Sequence, residues 1–496
     1  MDRKKGFEKL VKSKQNSDSS SKPEKKQGYL EIANELAKAI ESGRLKPGSV
    51  LQPSRVLADS LDVSRDTVLH AYAHLKALGF AKTQGTKGTF VLPVKHKPVR
   101  NETNAAELNE LCEHISPYAL SMLKRARYHP ISPDFHALNY GGVPKDCLPL
   151  HRWRELIRNR CKPSEFKNMQ YDMEPLGKAE LREALSDYLN KTKQIACTEY
   201  DIAIFNISFN AIALLSRLLM RENDVLAIED PGFGGVKNVA SYHNIQTLPI
   251  SLDQSGMKVE ELYKAKGRVK MVYVTPDHQD PTGITMSLSR RKELLKWAQE
   301  NNAWIIEDDY DGFFNYGKAL PPSLRSMDDS GRVIYLSTFW QVLYPLTTIC
   351  FLVVPPSLMP ILEQSKIQTE GVSETLIQLV LADILKDGYL QKHTRKLEKT
   401  FKQKRNILMH ELKLALQADI TVQSQSGGVT CLFHYSNQSE KDVLKAARIA
   451  GLPLISISDH YLAKRKRGEF LVYFPGLSSD KDQMKSVVKE FSTYLL

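Results

Sequence analysis

No run of about 18 apolar residues occurs anywhere in this 496-residue chain, so no segment is suited to cross a membrane as a helix. The first residues lack the apolar stretch of a signal peptide, and the expectation is a cytoplasmic protein with no membrane partner. Cysteine is scarce and scattered. Cys112, Cys147, Cys161, Cys197, Cys350 and Cys431 show neither CxxC nor Cys/His metal spacing, and they read as reduced structural thiols with no metal site. No internal repeat is visible, and the length implies more than one domain.

Charge is plentiful but unevenly placed. The net charge is +12, and residues 1–100 alone hold 20 Lys and Arg against 10 Asp and Glu. A basic excess gathered at one end is what a phosphate-binding arm requires. Part of it lies in residues 1–26, a Lys/Ser/Gln-rich stretch too polar to bury a core and expected to be disordered. That tail either adds unspecific affinity for DNA or only solubilises the chain.

Residues 51–91 carry a more specific pattern. Ser64 is placed to cap a helix with its side-chain oxygen. From Arg65, the residues Val68, Ala71, Tyr72, Leu75 and Leu78 recur at helical spacing, and Gly79 supplies the stop. The opposite face carries Arg65, Asp66, Leu69, His70 and Ala73, leaving short and polar side chains free to enter a DNA major groove. Pro53 to Leu61 predicts a shorter helix, and Asp62-Val63 the tight turn of a helix-turn-helix. Ala81–Thr83 and Thr89–Val91 read as two small strands around a wing, Gln84-Gly85-Thr86-Lys87-Gly88, with Lys87 at its tip. Upstream, Ile32, Leu36 and Ile40 share a stripe of Tyr29–Ser42 with Ala33 and Ala37.

Four motifs stand in order here: Ile40-x-Ser42-Gly43-x-Leu45-x-Pro47-Gly48, Pro53-Ser54-Arg55, Val63-Ser64-Arg65-x-Thr67-Val68 and Gly88-Thr89-Phe90-Val91. Together they resemble a GntR-type winged helix-turn-helix over residues 27–93. The resemblance implies double-stranded DNA as partner and assigns contacts to Ser54, Arg55, Ser64, Arg65, Thr67, Gln84, Thr86 and Lys87. His70 joins them by its place on the outer helix face.

Residues 94–134 have weak periodicity and read as a linker. Beyond them the pattern alternates strands and helices, which implies an α/β domain with a mainly parallel sheet. Val225–Glu229, Val269–Val274, Trp304–Glu307, Val333–Leu336 and Ile349–Val354 are short apolar runs of buried-strand type, and helical stretches such as Ser289–Glu300 separate several of them. Ligands bind beyond the strand C-termini of such sheets. The polar segments Asp230-Pro231-Gly232-Phe233, Thr275 to Gly283, and Glu307-Asp308-Asp309-Tyr310-Asp311 fall there.

With Tyr171-x-x-x-Pro175-x-Gly177-x-x-x-Leu181-Arg182-x-x-Leu185 and Ser337-Thr338-Phe339, these segments resemble the fold-type I aminotransferase domain of MocR-type regulators. The resemblance implies a large domain over 135–385, a smaller α+β C-terminal subdomain over 386–496, and a homodimer. It also implies a pyridoxal phosphate (PLP) site whose parts are altered here. Gln341 holds the place of the Schiff-base lysine, and an amide nitrogen is not nucleophilic. Trp340 replaces a serine, Thr348 the phosphate-pairing arginine, and Ile207 the glycine of the phosphate turn Asn206-Ile207-Ser208-Phe209-Asn210. Asp280 stands where an amide or aromatic residue is usual, and Leu471 where the carboxylate-binding arginine is expected. Arg467 reads as part of a solvated basic loop.

Phe233, Asp308, Tyr310 and Gln341 mark the vestige of the cofactor site. By the resemblance Asp308 would face the pyridine nitrogen and Tyr310 the ring hydroxyl. The favoured reading of Asp308 and Tyr310 is structural, a strand-end acidic cluster that caps neighbouring backbone, and His278 reads as a hydrogen-bonded loop residue. The expectation is a DNA-binding transcriptional regulator whose aminotransferase-like domain is catalytically inactive, needs no cofactor, dimerises, and is open to a small-molecule effector. A PLP-dependent aminotransferase, or a PLP-responsive regulator holding the cofactor noncovalently or through another lysine, is the competing reading.

Overall fold

The computed structural model describes residues 28–93, 114–116, 119–120, 143–165, 174–265, 268–317, 319–370, 374–416, 420–422, 427–463 and 468–495. The basic tail, most of the expected linker, Tyr171, Cys112 and Arg467 lie outside the described residues. The chain divides into two compact units, residues 1–120 and 121–496. No helix among the described residues is long and apolar enough to cross a membrane.

The first unit folds around three helices, Tyr29–Glu41, Ser54–Leu61 and Arg65–Ala77. Ile32, Leu36, Ile40, Leu57, Val68, Ala71 and Leu75 bury one common core. Ser64 caps the third helix by accepting the Thr67 N–H at 3.1 Å, and Asp62 makes the preceding turn at φ 50°. The Tyr72 hydroxyl donates to the Gln52 carbonyl at 2.7 Å, tying helix to loop. Strands β1 (Ala81–Thr83) and β2 (Thr89–Val91) pair antiparallel and form the wing.

The second unit is built on an eight-stranded sheet of order β3-β10-β9-β8-β7-β4-β5-β6. Its strands are β3 (Ile202–Phe205), β4 (Val225–Asp230), β5 (Gln246–Asp253), β6 (Gly256–Met257), β7 (Val269–Val274), β8 (Trp304–Asp309), β9 (Val333–Thr338) and β10 (Cys350–Val353). Pairings from β5 through β4, β7 and β8 to β9 are parallel, whereas β10 runs antiparallel to both β9 and β3. Helices cover both faces, with Ile334 and Leu336 packed into one apolar cluster and Tyr335 into another. From β4 the chain moves outward to β5, then returns to β7 on the other side of β4 and continues to β8 and β9. The strand order therefore reverses between β4 and β7, the point at which sheets of this kind form a crevice at their C-terminal ends.

A second sheet, of order β11-β12-β14-β13, is antiparallel throughout. It comprises Thr421–Val422, Thr430–His434, Leu454–Ser456 and Glu469–Tyr473 in chain order. The helices Tyr389–Leu416, Glu440–Ala450 and Lys481–Leu495 accompany it.

Gly177 shows how tightly the parts meet. It adopts φ +95°, and a Cβ there would lie 2.5 Å from Ile204 Cγ1 on β3. Gly177→Ala is expected to cost about 2 kcal/mol or more through strain and overpacking combined. Denaturant unfolding of the second unit's transition checks this, and an unchanged midpoint would refute the close approach.

Candidate functional site

In the first unit, Arg55, Arg65, Gln84 and Lys87 are exposed. Arg65 Nε donates to Ser54 Oγ at 3.3 Å, and the Ser64 and Thr67 hydroxyls lie 2.8 Å apart. Ser54, Ser64, Arg65 and Thr67 thus gather at the start of the second and third helices. Gln84, Gly85 and Lys87 form the wing turn, where Gly88 at φ +110° leaves room for Val50. Thr86 belongs to this turn by its backbone, and its side chain lies outside the described residues. His70 is exposed on the outer face, and its ring also lies 5.9 Å from that of Tyr29.

In the second unit the crevice between β4 and β7 collects the polar segments. Glu229, at the end of β4, accepts the Thr275 N–H at 3.1 Å and the Thr275 hydroxyl at 2.8 Å. Gln279 donates to the Pro231 carbonyl at 2.8 Å, which fastens the two loops together. Burial pushes the Glu229 carboxyl up to about 7 despite these donors. Burial, with Asp311 and Glu229 nearby, does the same to Asp280.

Successive residues of β8 point to opposite faces of the sheet. Glu307 and Asp309 face one side: Glu307 accepts the Leu324 and Arg325 N–H groups at 2.7 Å each, and Asp309 binds Lys193 Nζ at 2.7 Å. Asp308 faces the other side, where it accepts the Tyr273 hydroxyl. The expectation that Asp308 caps backbone is therefore corrected, because Glu307 does that work and Asp308 is met by a phenol. Burial raises the Asp308 carboxyl to about 7, the Tyr273 donor opposing the shift and Asp309 and Asp280 adding to it.

Tyr273 also begins an aromatic series. Its ring stacks on Phe233 at 6.3 Å, and Phe233 stacks on Phe209 at 6.0 Å. Phe209 sits in the first turn of the Ser208–Leu219 helix, whose N-cap Ile207 offers no side-chain cap. Gly235 admits this pair, since a Cβ there would lie within 2.5 Å of both rings.

Tyr310 is half-buried just past β8. Gln341 lies in the short Trp340–Leu343 helix after β9, with its Oε1 buried and without a hydrogen-bond partner. Trp340 stacks on Tyr344 at 3.8 Å. His278 is a buried loop residue, as expected, with Nδ1 2.8 Å from Asp311. Burial disfavours its charged form, and Asp311 outweighs that to hold the imidazolium above its usual range.

The smaller subdomain closes over this end of the sheet. Asp230 accepts the Leu462 and Ala463 N–H groups at 2.6 and 3.1 Å, and the Gly232 N–H reaches the His460 carbonyl at 3.0 Å. Leu471 is fully buried among Leu432, Ile457 and Tyr461. Sequence reasoning missed Glu229, Tyr273 and Lys193. The first two ended or lay inside runs scored only as apolar strands, though an acid closing one buried run and a tyrosine inside the other are signals that could have been weighed.

A winged helix-turn-helix and a sheet with this reversal and antiparallel β10 define a DNA reader joined to an aminotransferase-type domain. Residues 28–91 match the family described as bacterial regulatory proteins, gntR family, and residues 148–466 match aminotransferase class I and II. The chain is 27% identical over 449 residues to the probable rhizopine catabolism regulatory protein MocR of Rhizobium meliloti, covering 90% of each. It is 29% identical over 459 residues to the uncharacterized HTH-type transcriptional regulator YhdI of Bacillus subtilis, covering 91% of this chain and 92% of that one. The crystal structure of Pyrococcus horikoshii kynurenine aminotransferase superposes with TM-score 0.68 at 25% identity, over 78% of this chain and 98% of that one. The chain belongs to the aminotransferase class I and II family and, with its gntR-type reader, to the MocR-type DNA-binding transcriptional regulators.

Removing the Tyr273 hydroxyl tests the crevice electrostatics. Tyr273→Phe leaves Asp308 without its donor and is expected to cost about 1–3 kcal/mol. The Asp308 carboxyl is raised to about 7 in the folded state, so stability is lost as pH climbs from the ordinary carboxylate range to about 7, and removing the donor that lowers it carries the loss on to higher pH. The loss should therefore be larger at pH 8 than at pH 5.5 in urea unfolding, and equal losses would contradict the assignment.

Proposed function

We propose that the aminotransferase-like domain of this regulator carries no Schiff-base chemistry, pairs two copies of the chain, and takes a small-molecule effector. Gln341 is the observation that carries the reading: an amide nitrogen, its lone pair delocalised, stands where an amine would have to attack the cofactor aldehyde. Lys193 is no substitute, because Asp309 and Asp277 overcome the effect of burial and keep it a protonated ammonium. The residues present do not fit a phosphate either. Ile207 and Phe209 occupy the helix terminus where close backbone N–H groups would be needed, and Thr348 offers no charge. A poorly paired buried dianion costs several kcal/mol. The apolar packing of Leu471 speaks equally against a substrate carboxylate.

The exposed Arg55, Arg65 and Lys87 support the assigned DNA contacts. Two readers held in a dimer engage two half-sites, which raises apparent affinity without new contacts. Arg65→Ala is expected to weaken binding by about 1–3 kcal/mol, and Lys87→Ala to lower the salt slope by about 1. Fluorescence anisotropy on the chain's own promoter region reads both, with sedimentation of the full chain giving its stoichiometry. Unchanged binding in both variants would refute the assigned contacts, and a monomer at micromolar concentration would refute the pairing.

PLP added to the full-length protein should leave no aldimine absorbance and no pyridoxyl-lysine after borohydride reduction. Gln341→Lys alone should recover little, because Thr348, Ile207 and Phe209 remain. Stoichiometric copurified PLP, or a reduced adduct on any lysine by mass spectrometry, would overturn the reading.

A further inference from the structure

The crevice holds more acid than it can neutralise. Asp309 has Lys193, Asp277 has Arg291 and Asp311 has His278 as partners. Glu229, Asp280 and Asp308 have no cation among the described residues, and they are only 3, 7 and 6% exposed. Glu229 is met by the neutral donors of Thr275 and Gln279, and Asp308 by the Tyr273 hydroxyl.

Asp280 is the sharpest case. Its backbone is fully engaged, the N–H to Thr275 Oγ1 at 3.0 Å and the carbonyl to Gln279 Nε2 at 2.7 Å. Its carboxylate accepts no hydrogen bond and makes no ion pair among the described residues. Glu229, Asp308 and Asp311 all act on it, or it on them, through like charge. A carboxylate this buried and unmet is costly to the ligand-free protein. Beside it, the loop that Gln279 grips carries Phe233, whose ring lies between those of Phe209 and Tyr273.

We propose that the effector of this domain is a small organic cation (an amine, amidine or guanidinium on a flat apolar body) received by Asp280 and Asp308 beside the Phe233 ring. This rests on the reading of the domain as an effector site without a Schiff base. A cation supplies the charge the acids lack, and the neighbouring aromatic series gives an apolar wall for its body. The titratable neighbours of the pair are Glu229 from β4, Tyr273 from β7, Asp309 at the end of β8 and Asp311 just past it, the last paired with His278 of the loop after β7. Lys193 and Arg291 are committed to Asp309 and Asp277. Cation binding therefore draws the carboxyls into their charged forms and releases protons.

The test uses the full-length protein with benzamidine as the cationic probe, benzoate as its anion of matching shape, and PLP. Thermal shift and calorimetry at pH 7.5 should show saturable binding of benzamidine and none of benzoate or PLP. Benzamidine binding should release protons in buffers of different ionisation heat and weaken at least tenfold at pH 5.5. Asp280→Asn should weaken it at least tenfold while raising the ligand-free melting temperature at pH 8, since an unmet charge is removed. No benzamidine binding, a preference for benzoate, or unchanged affinity in Asp280→Asn would overturn the proposal. A lower ligand-free melting temperature in that variant would also overturn it, by making Asp280 a structural residue. A borohydride-trapped PLP adduct, by contrast, would remove the underlying reading of the domain.

Discussion

Glu229 turns its carboxylate across the point where the sheet reverses direction, and the crevice depends on that contact. Two loops leave the sheet side by side there, one after β4 and one after β7, with no strand pairing to hold them. The Thr275 N–H and hydroxyl, and Gln279 in turn, fix both loops to one buried acid. Neutral donors suffice to place Glu229 but not to cancel its charge, which is why burial carries its carboxyl to about 7. That residual charge sets the electrostatic character of everything around it.

The same economy of neutral donors recurs at Asp308. Its phenolic partner Tyr273 belongs to the neighbouring strand, so the contact forms whenever the sheet forms and needs no bound group. The Phe209, Phe233 and Tyr273 rings then run from a helix terminus to this carboxylate. A fold shared with aminotransferases thus carries its own internal packing beside this strand end. A fold of this kind does not by itself fix the chemistry at its strand ends, because its sheet is held by apolar clusters and strand pairing.

Much of this was legible along the chain. The winged reader was clear because each helix carries its own stripe, cap and stop: Val68, Ala71, Tyr72 and Leu75 are buried, and Ser64 caps as its position required. The central strands were found as apolar runs, Val269–Val274 with its observed bounds, but the ends of β8 and β9 were set too early. β8 continues through Asp308 and Asp309, and β9 through Ser337 and Thr338, because neighbouring strands still satisfy their backbones where the side chains turn polar. Hydrophobicity marks where a strand is buried, whereas its length is decided by the strand alongside.

The sequence by itself determined the two-part architecture and the identity of the residues at positions 207, 280, 341, 348 and 471. Those are matters of local pattern and of chemistry that a side chain carries wherever it sits. Only the tertiary structure decided that Tyr273 serves Asp308, that Lys193 is spent on Asp309, and that Asp280 is left unmet. The groups of each pair lie tens to more than a hundred residues apart, and Asp280 is told apart from its neighbours only by what surrounds it. Partnership between distant polar groups follows from strand order and pleat, which no local periodicity records.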